Sequence, residues 1–196
     1  MANADRNFGF LVNNAGLMVG YVDSNGVERD MAGNPIAAGA RPATAGLART
    51  VGQSAVAASV TGTTNETVLA TIKIPGGAMG ANGVMRIITL WTVTNSANNK
   101  QLRVRLGGDA GTPFLSLGVT TVAAAQELTL IRNRNSAASQ VGFAATPASS
   151  YGTSTSANTT ATVDTAADTS LVITGQLTNT GETITLEAYT VEILNP

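Results

Sequence analysis

The sequence predicts an all-β protein: an antiparallel β-sandwich of jelly-roll type, preceded by an extended N-terminal arm. Three observations carry this. From Asn65 to Gly108, three apolar runs of strand length are separated by two turn clusters, Pro75–Gly83 and Ser96–Lys100. Gln101–Leu106 alternates polar and apolar residues with the period of two required of a strand with one wet face. No capping signal precedes a long 3.6-residue periodicity, so little helix is expected. About eight to ten strands with turns at short intervals read as a sandwich, with the jelly roll as its topology. The expected division is a hairpin and Ala/Gly-rich arm over residues 1–55 and a β-sandwich domain over 56–196.

In chain order, Leu17–Val22 and Val27–Met31 flank Asp23-Ser24-Asn25-Gly26, and an Asn-Gly step between apolar runs predicts a hairpin. The Asp-x-Asn spacing is not that of a calcium loop: Gly26 comes too early and no glutamate closes the pattern. Residues 36–58 hold nine alanines interrupted by Gly39, Pro42, Gly46 and Gly52, which predicts an extended arm rather than a stable helix. Thr67–Ile74 follows as a strand, then Val84–Asn95. In that run Val84, Ile88 and Leu90 occupy one face, and Met85, Ile87, Trp91 and Val93 the other. A strand apolar on both sides is central in a covered sheet or faces a second subunit.

Phe114–Val119, Leu128–Ile131 and a short strand at Val141–Ala144 continue the series. Ala145–Ala167 is a Ser/Thr/Ala stretch that reads as a long exposed loop or a pair of weak edge strands. Ser170–Leu177 and Glu182–Leu194 then close a hairpin around Thr178-Asn179-Thr180-Gly181. Within the last strand the apolar parity moves from Ile184 and Leu186 to Tyr189, Val191 and Ile193, which predicts a bulge.

Composition narrows the function classes. Hydrophobic residues make up 43%, enough for a core, whereas charged residues are only 12%, about half the usual ~25%. A surface built from Thr, Ser, Asn, Gln, Ala and Gly lacks the usual protection against association, as suits a protein covered by other subunits. Cysteine and histidine are absent, which excludes disulfides, thiolate catalysis, a Ser-His-Asp arrangement and nearly all transition-metal sites. No apolar run approaches the ~18 residues of a membrane span, and no charged-then-apolar leader is recognisable. The net charge is −1, so no overall field draws nucleic acid or acidic membranes. The charge is nevertheless uneven: all 11 basic residues lie between Met1 and Arg134, while Asn135–Pro196 carries 5 acids and no base.

Three groups of residues stand out. Lys100, Arg103, Arg105, Arg132 and Arg134 form a basic set in which each arginine pair shares a strand face. If those strands were neighbours, four guanidinium groups would grip a carboxylate or phosphate. The set reads as an intersubunit ion-pair surface, an anion site or a plain solvated face. Nucleic acid is disfavoured because no aromatics interleave. Asp164, Asp168, Glu182, Glu187 and Glu192 raise glycoside cleavage, but aromatic residues are only 4%, too few for sugar-stacking platforms, so strand-edge salt bridges are the expectation. Trp91, the single tryptophan, reads as core or as an interface anchor.

The run Asn65–Gly108 followed by Leu130-Ile131-Arg132-Asn133-Arg134-Asn135-Ser136 resembles a group of tailed-bacteriophage virion proteins. In that group an N-terminal arm precedes a jelly-roll-like domain, and the members are known as structural, capsid-decoration or head-fibre proteins. The similar part covers about residues 60–145, under half of the chain, and brings no catalytic motif. The resemblance implies a non-enzymatic virion component without a cofactor, made in the host cytoplasm and placed on the capsid exterior. It implies a homotrimer partnered by itself and by the major capsid protein or other virion proteins. The alternative is a tail-fibre or spike module, attached by its N-terminal region and touching host-surface glycan through Ala145–Ala167.

Overall fold

Apolar residues recur at every second position through most of the chain, and the backbone answers with strands whose apolar side is the buried side. The computed structural model describes residues 10–12, 18–22, 28–31, 48–143 and 156–194; every regular element among them is a β-strand. The chain divides after Leu47 into two units.

In the first unit β1 (Phe10–Val12), β2 (Met18–Val22) and β3 (Glu28–Asp30) form an antiparallel sheet in that order. The expected hairpin is present as the β2–β3 pairing, with Tyr21 opposite Arg29. Its Asn-Gly turn and residues 32–47 of the expected arm lie outside the described residues.

The second unit opens with β4 (Ala48–Ser54) and β5 (Ala58–Thr61), followed by β6 (Thr67–Ile74), β7 (Val84–Val93), β8 (Lys100–Leu106) and β9 (Thr112–Val119). β10 (Ala124–Asn133), β11 (Gln140–Gly142), β12 (Thr159–Ala161), β13 (Thr169–Leu177) and β14 (Thr183–Leu194) complete it. Seven strands make the larger sheet, in the order β12-β11-β10-β7-β14-β4 with β5 also on β14, and four make the smaller, β6-β13-β8-β9. All pairings are antiparallel. The two sheets pack as a sandwich around one core, in which Met85, Ile87 and Trp91 of the larger sheet meet Leu102, Val104 and Ile173 of the smaller. β4/β5, β14, β7 and β10 share one sheet and β6, β13, β8 and β9 the other, a connectivity consistent with a jelly roll.

One boundary moves relative to expectation. The arm was to run through residue 55, yet Ala48–Ser54 is a strand hydrogen-bonded to β14. Gly52 explains why a stretch so rich in small residues pairs here: a Cβ on it would lie 2.6 Å from Ile72 Cγ2, so only glycine lets β4 close down over β6. Gly142 closes the opposite edge the same way, 2.6 Å from Phe114 Cδ1. Within the low-complexity stretch, β12 is indeed a short edge strand, paired to β11.

The predicted bulge is present in β14, where the register against β7 slips between Leu186 and Ala188. The extra residue carries the strand from one parity to the other, so that Ile184, Leu186, Val191 and Ile193 all reach the core. Trp91 is fully buried, and its Nε1 donates a 2.8 Å hydrogen bond to Oγ1 of Thr89, two residues back on the same face. It belongs to the core of its own chain and presents nothing to a partner, which removes the interface-anchor reading. Trp91→Ala should therefore lower unfolding free energy by about 3–5 kcal/mol, whereas Leu90→Ala, outward on the same strand, should cost about 1 kcal/mol or less. Urea unfolding of the two variants measures both; equal losses would mean that the strand faces are misassigned.

Candidate protein interface

Since β7 alternates, the residues between its core side chains point out of the sandwich: Val84, Arg86, Ile88 and Leu90. Register places Arg132, Leu130, Leu128 and Gln126 of β10 beside them on one flank. Leu194, Glu192, Thr190 and Ala188 of β14 lie on the other. Leu128 is 60% exposed and Leu90 41%, while Val84, Ile88, Leu130 and Leu194 are half-buried. The result is an apolar stripe across three central strands. Its one internal ion pair joins directly opposed residues, with Arg86 Nε donating to Glu192 Oε2 at 2.7 Å. A partner covering this face would gain about 25 cal/mol per Å² of apolar surface and would meet a charge pair already neutralised within the chain. The two-sided apolar pattern of β7 thus corresponds to a core on one side and an uncovered stripe on the other.

The arginine pairs do not come together. Arg103 and Arg105 lie on β8 in the smaller sheet and Arg132 on β10 in the larger, so no four-guanidinium patch exists. Arg105 grips Glu66 bidentately, Nε to Oε1 at 2.9 Å and Nη2 to Oε2 at 3.0 Å, and its Nη1 donates to the Gly111 carbonyl at 3.0 Å. Arg103 Nη1 reaches Glu66 Oε2 at 3.1 Å and Gln176 Oε1 at 2.9 Å. Burial pushes the Glu66 carboxyl up, but the hydrogen bonds from Arg105 and Thr174 and the charge of Arg103 outweigh it and hold it below the ordinary range. These arginines are occupied at home. Lys100, a member of the basic set, is completely buried at the start of β8 on the side of Leu102 and Val104; its Nζ donates to Ser96 Oγ at 2.9 Å and to the Asn98 carbonyl at 2.7 Å, with Glu182 Oε2 3.6 Å away.

The acidic candidates are similarly dispersed. Glu182 accepts from Ser96 Oγ and from Asn98 Nδ2, which lowers its pKa. Asp168 pairs with Lys73 at 2.7 Å and accepts from the Gly76 amide at 2.8 Å. Asp164 takes the Ala166 amide at 2.9 Å, Glu192 holds Arg86, and Glu187 sits at the β14 bulge. Among the described residues no group of three or more acids is placed to hold a metal.

Arg132 and Arg134 remain exposed, and no ion pair among the described residues engages either side chain. Arg132 stands opposite Val141, and with Val141, Gly142, Phe143 and Asn158 it lines an open groove of about 350 Å³. What fixes this segment is a residue the sequence reading passed over. Asn133 is buried, its Nδ2 donating to the Gly80 carbonyl at 2.6 Å and to Thr165 Oγ1 at 2.9 Å, while its Oδ1 accepts from Gln140 Nε2 at 3.0 Å. Gln140 Oε1 in turn accepts the Val163 amide at 2.9 Å. Asn135 follows with φ 54°, a left-handed turn conformation that asparagine tolerates. The signal was present: in Arg132-Asn133-Arg134, alternation puts the amide on the face opposite the two arginines.

No protein-family model and no curated protein matches the chain. Among solved structures it is similar to one described as the CBM2 module of Lactobacillus casei BL23 phage J-1 evolved Dit. That match has 13% identity and TM-score 0.31 and covers 62% of this chain and 68% of the other. It is also similar to chains from infectious bursal disease virus. For the Gx strain the identity is 9% and the TM-score 0.25, over 75% of this chain and 39% of the other. For the Gt strain they are 12% and 0.27, over 94% and 50%. This chain therefore spans half or less of the virus chains it matches. Likenesses this shallow carry no argument about function.

The Glu66 cluster yields a pH prediction. A carboxylate whose folded pKa is depressed stabilises the fold above its unfolded value of about 4.3, and the contribution is lost as pH falls through the lower folded value. Glu66→Gln should cost on the order of 1 kcal/mol at neutral pH, the solvent-screened value for a partly exposed cluster, and the gap from the parent should close below about pH 4. Denaturant unfolding across pH 3–7 checks this; a gap that persists in acid would contradict it.

Proposed function

We propose that the chain is a structural component of a tailed-bacteriophage virion: a decoration or cement protein that binds the assembled capsid surface and stabilises it through subunit contacts. The observation that carries the reading is the apolar stripe of exposed Leu128 and Leu90 with half-buried Ile88 between them, on a chain in which only 12% of residues are charged. Such a face suits a lasting, mostly apolar contact with a neighbouring subunit. The resemblance of Asn65–Gly108 and Leu130–Ser136 to virion proteins supports the same assignment. Its partners are copies of itself, arranged as a trimer, and the major capsid protein or another shell protein. No cofactor and no catalytic step enter. The mechanism is mass action: a protein that binds only the assembled shell lowers the free energy of that shell and raises the temperature at which it opens.

Particles lacking the protein should burst at lower temperature than complete ones, and adding the purified chain should restore resistance. Leu128→Lys should leave the isolated fold within about 1 kcal/mol of the parent but weaken shell binding about tenfold or more, because docking would strand a charge on a desolvated face. Thermal-release assays on the three kinds of particle measure this. If particles without the protein withstand heating and low salt as well as complete ones, the decoration reading fails.

A further inference from the structure

We propose that the groove at the β11–β12 edge of the larger sheet is a binding subsite for an acidic saccharide, a sugar ring bearing a carboxylate. The strand register assembles it. Arg132 lies opposite Val141, and Phe143, just past the end of β11, borders the same open space. The β11–β12 pairing ends at Gly142 opposite Thr159, so Asn158 is the next residue across from Phe143. Together with Gly142 these residues line an open space of about 350 Å³, at the lower end of the ~300–1,000 Å³ typical of ligand sites. That suits a short saccharide.

Each wall has a distinct chemistry. The Arg132 guanidinium is exposed, with no ion pair among the described residues, whereas Arg86, Arg103 and Arg105 each hold a carboxylate of the same chain. Its planar donors match a carboxylate two-pronged. Phe143 is 39% exposed and is the one aromatic among the exposed large apolar side chains of the described residues, so its ring can take the C–H face of a sugar. Asn158 supplies amide donors and an acceptor for hydroxyl groups. A bare anion would use Arg132 alone and an acidic peptide would have little use for the ring; an acidic sugar uses all three. The site adjoins the leucine stripe, since Arg132 stands opposite Val84 and Phe143 also borders Leu128 and Leu130, but saccharide binding there does not rest on capsid decoration.

The test is titration of the purified full chain, followed by NMR or calorimetry, with an oligogalacturonate, a matched neutral oligosaccharide, acetate and a short polyglutamate. Oligogalacturonate should bind about tenfold or more tightly than the neutral sugar, a difference expected of a charge-assisted pair. Arg132→Gln should erase that preference, and Phe143→Ala should weaken both sugars. Arg132 is exposed, so Arg132→Gln should keep the parent's unfolding midpoint, whereas Phe143 is only 39% exposed and Phe143→Ala should lower it modestly while leaving a cooperative unfolding transition. Absence of oligogalacturonate binding at millimolar concentration would overturn the proposal. So would equal binding of acetate, which indicates a simple anion site, or polyglutamate binding that Phe143→Ala leaves unchanged, which indicates an acidic protein partner. Saccharide binding is read on the isolated chain and heat resistance on particles, so failure here is separable from failure of the decoration reading.

Discussion

Side-chain alternation along β7 is the constraint on which the rest of the molecule depends. This strand is central in the larger sheet, flanked by β10 and β14 over nearly its whole length. Its odd-numbered positions from Met85 to Val93 are buried and its even-numbered ones are not. A slip of one residue would turn Trp91 out and drive Arg86 into the core, so the register is strongly specified. Because the outward positions are also largely apolar, one strand builds two surfaces: the core that folds the chain and an apolar stripe on the outer face.

The few charges accentuate this division. Lys73, Arg86, Lys100, Arg103 and Arg105 are all held by carboxylates of the same chain. A sequence already poor in charge thus presents even less free charge than its composition suggests. On the smaller sheet, the Glu66 cluster with Arg103, Arg105, Thr174 and Gln176 makes a polar outer face that is satisfied internally. The two outer faces of the sandwich are therefore chemically opposite, and the apolar one is the face that the proposed function assigns to a partner. At the end of β10, the Asn133–Gln140–Thr165 network ties three connecting segments together and holds Arg132 and the groove in place. A buried amide network is strong only when every member is paired, and here the Asn133 side chain is.

Most of the fold was legible in the sequence because period-two patterning and Asn/Gly turns are local signals. The strands at Thr67–Ile74, Val84–Val93 and Thr183–Leu194 follow directly from them, as does the bulge near Ala188. β4 was hidden because its pairing depends on a contact between Gly52 and Ile72 that no local pattern encodes. The N-terminal half of β10, Ala124–Glu127, was hidden by small and polar residues that pair with β7 all the same. The arginine patch failed for a related reason: alternation tells which residues share a face but not which strands share a sheet. For Lys100, alternation with Leu102 and Val104 marks the buried side, but nothing local announces that Ser96, Asn98 and Glu182 surround its ammonium. The low aromatic content likewise averaged away the position of Phe143, whose meaning comes from the groove around it.

The most direct measurement is a density map of a complete particle in which this sandwich can be oriented. A neighbouring subunit should lie against the outer face of the larger sheet, within side-chain contact of Leu90 and Leu128, with the Glu66 cluster of the smaller sheet turned to solvent. A map with the leucine stripe in solvent and the smaller sheet against the shell would contradict the assignment of the partner surface. A particle with no density for the sandwich would contradict the virion role itself.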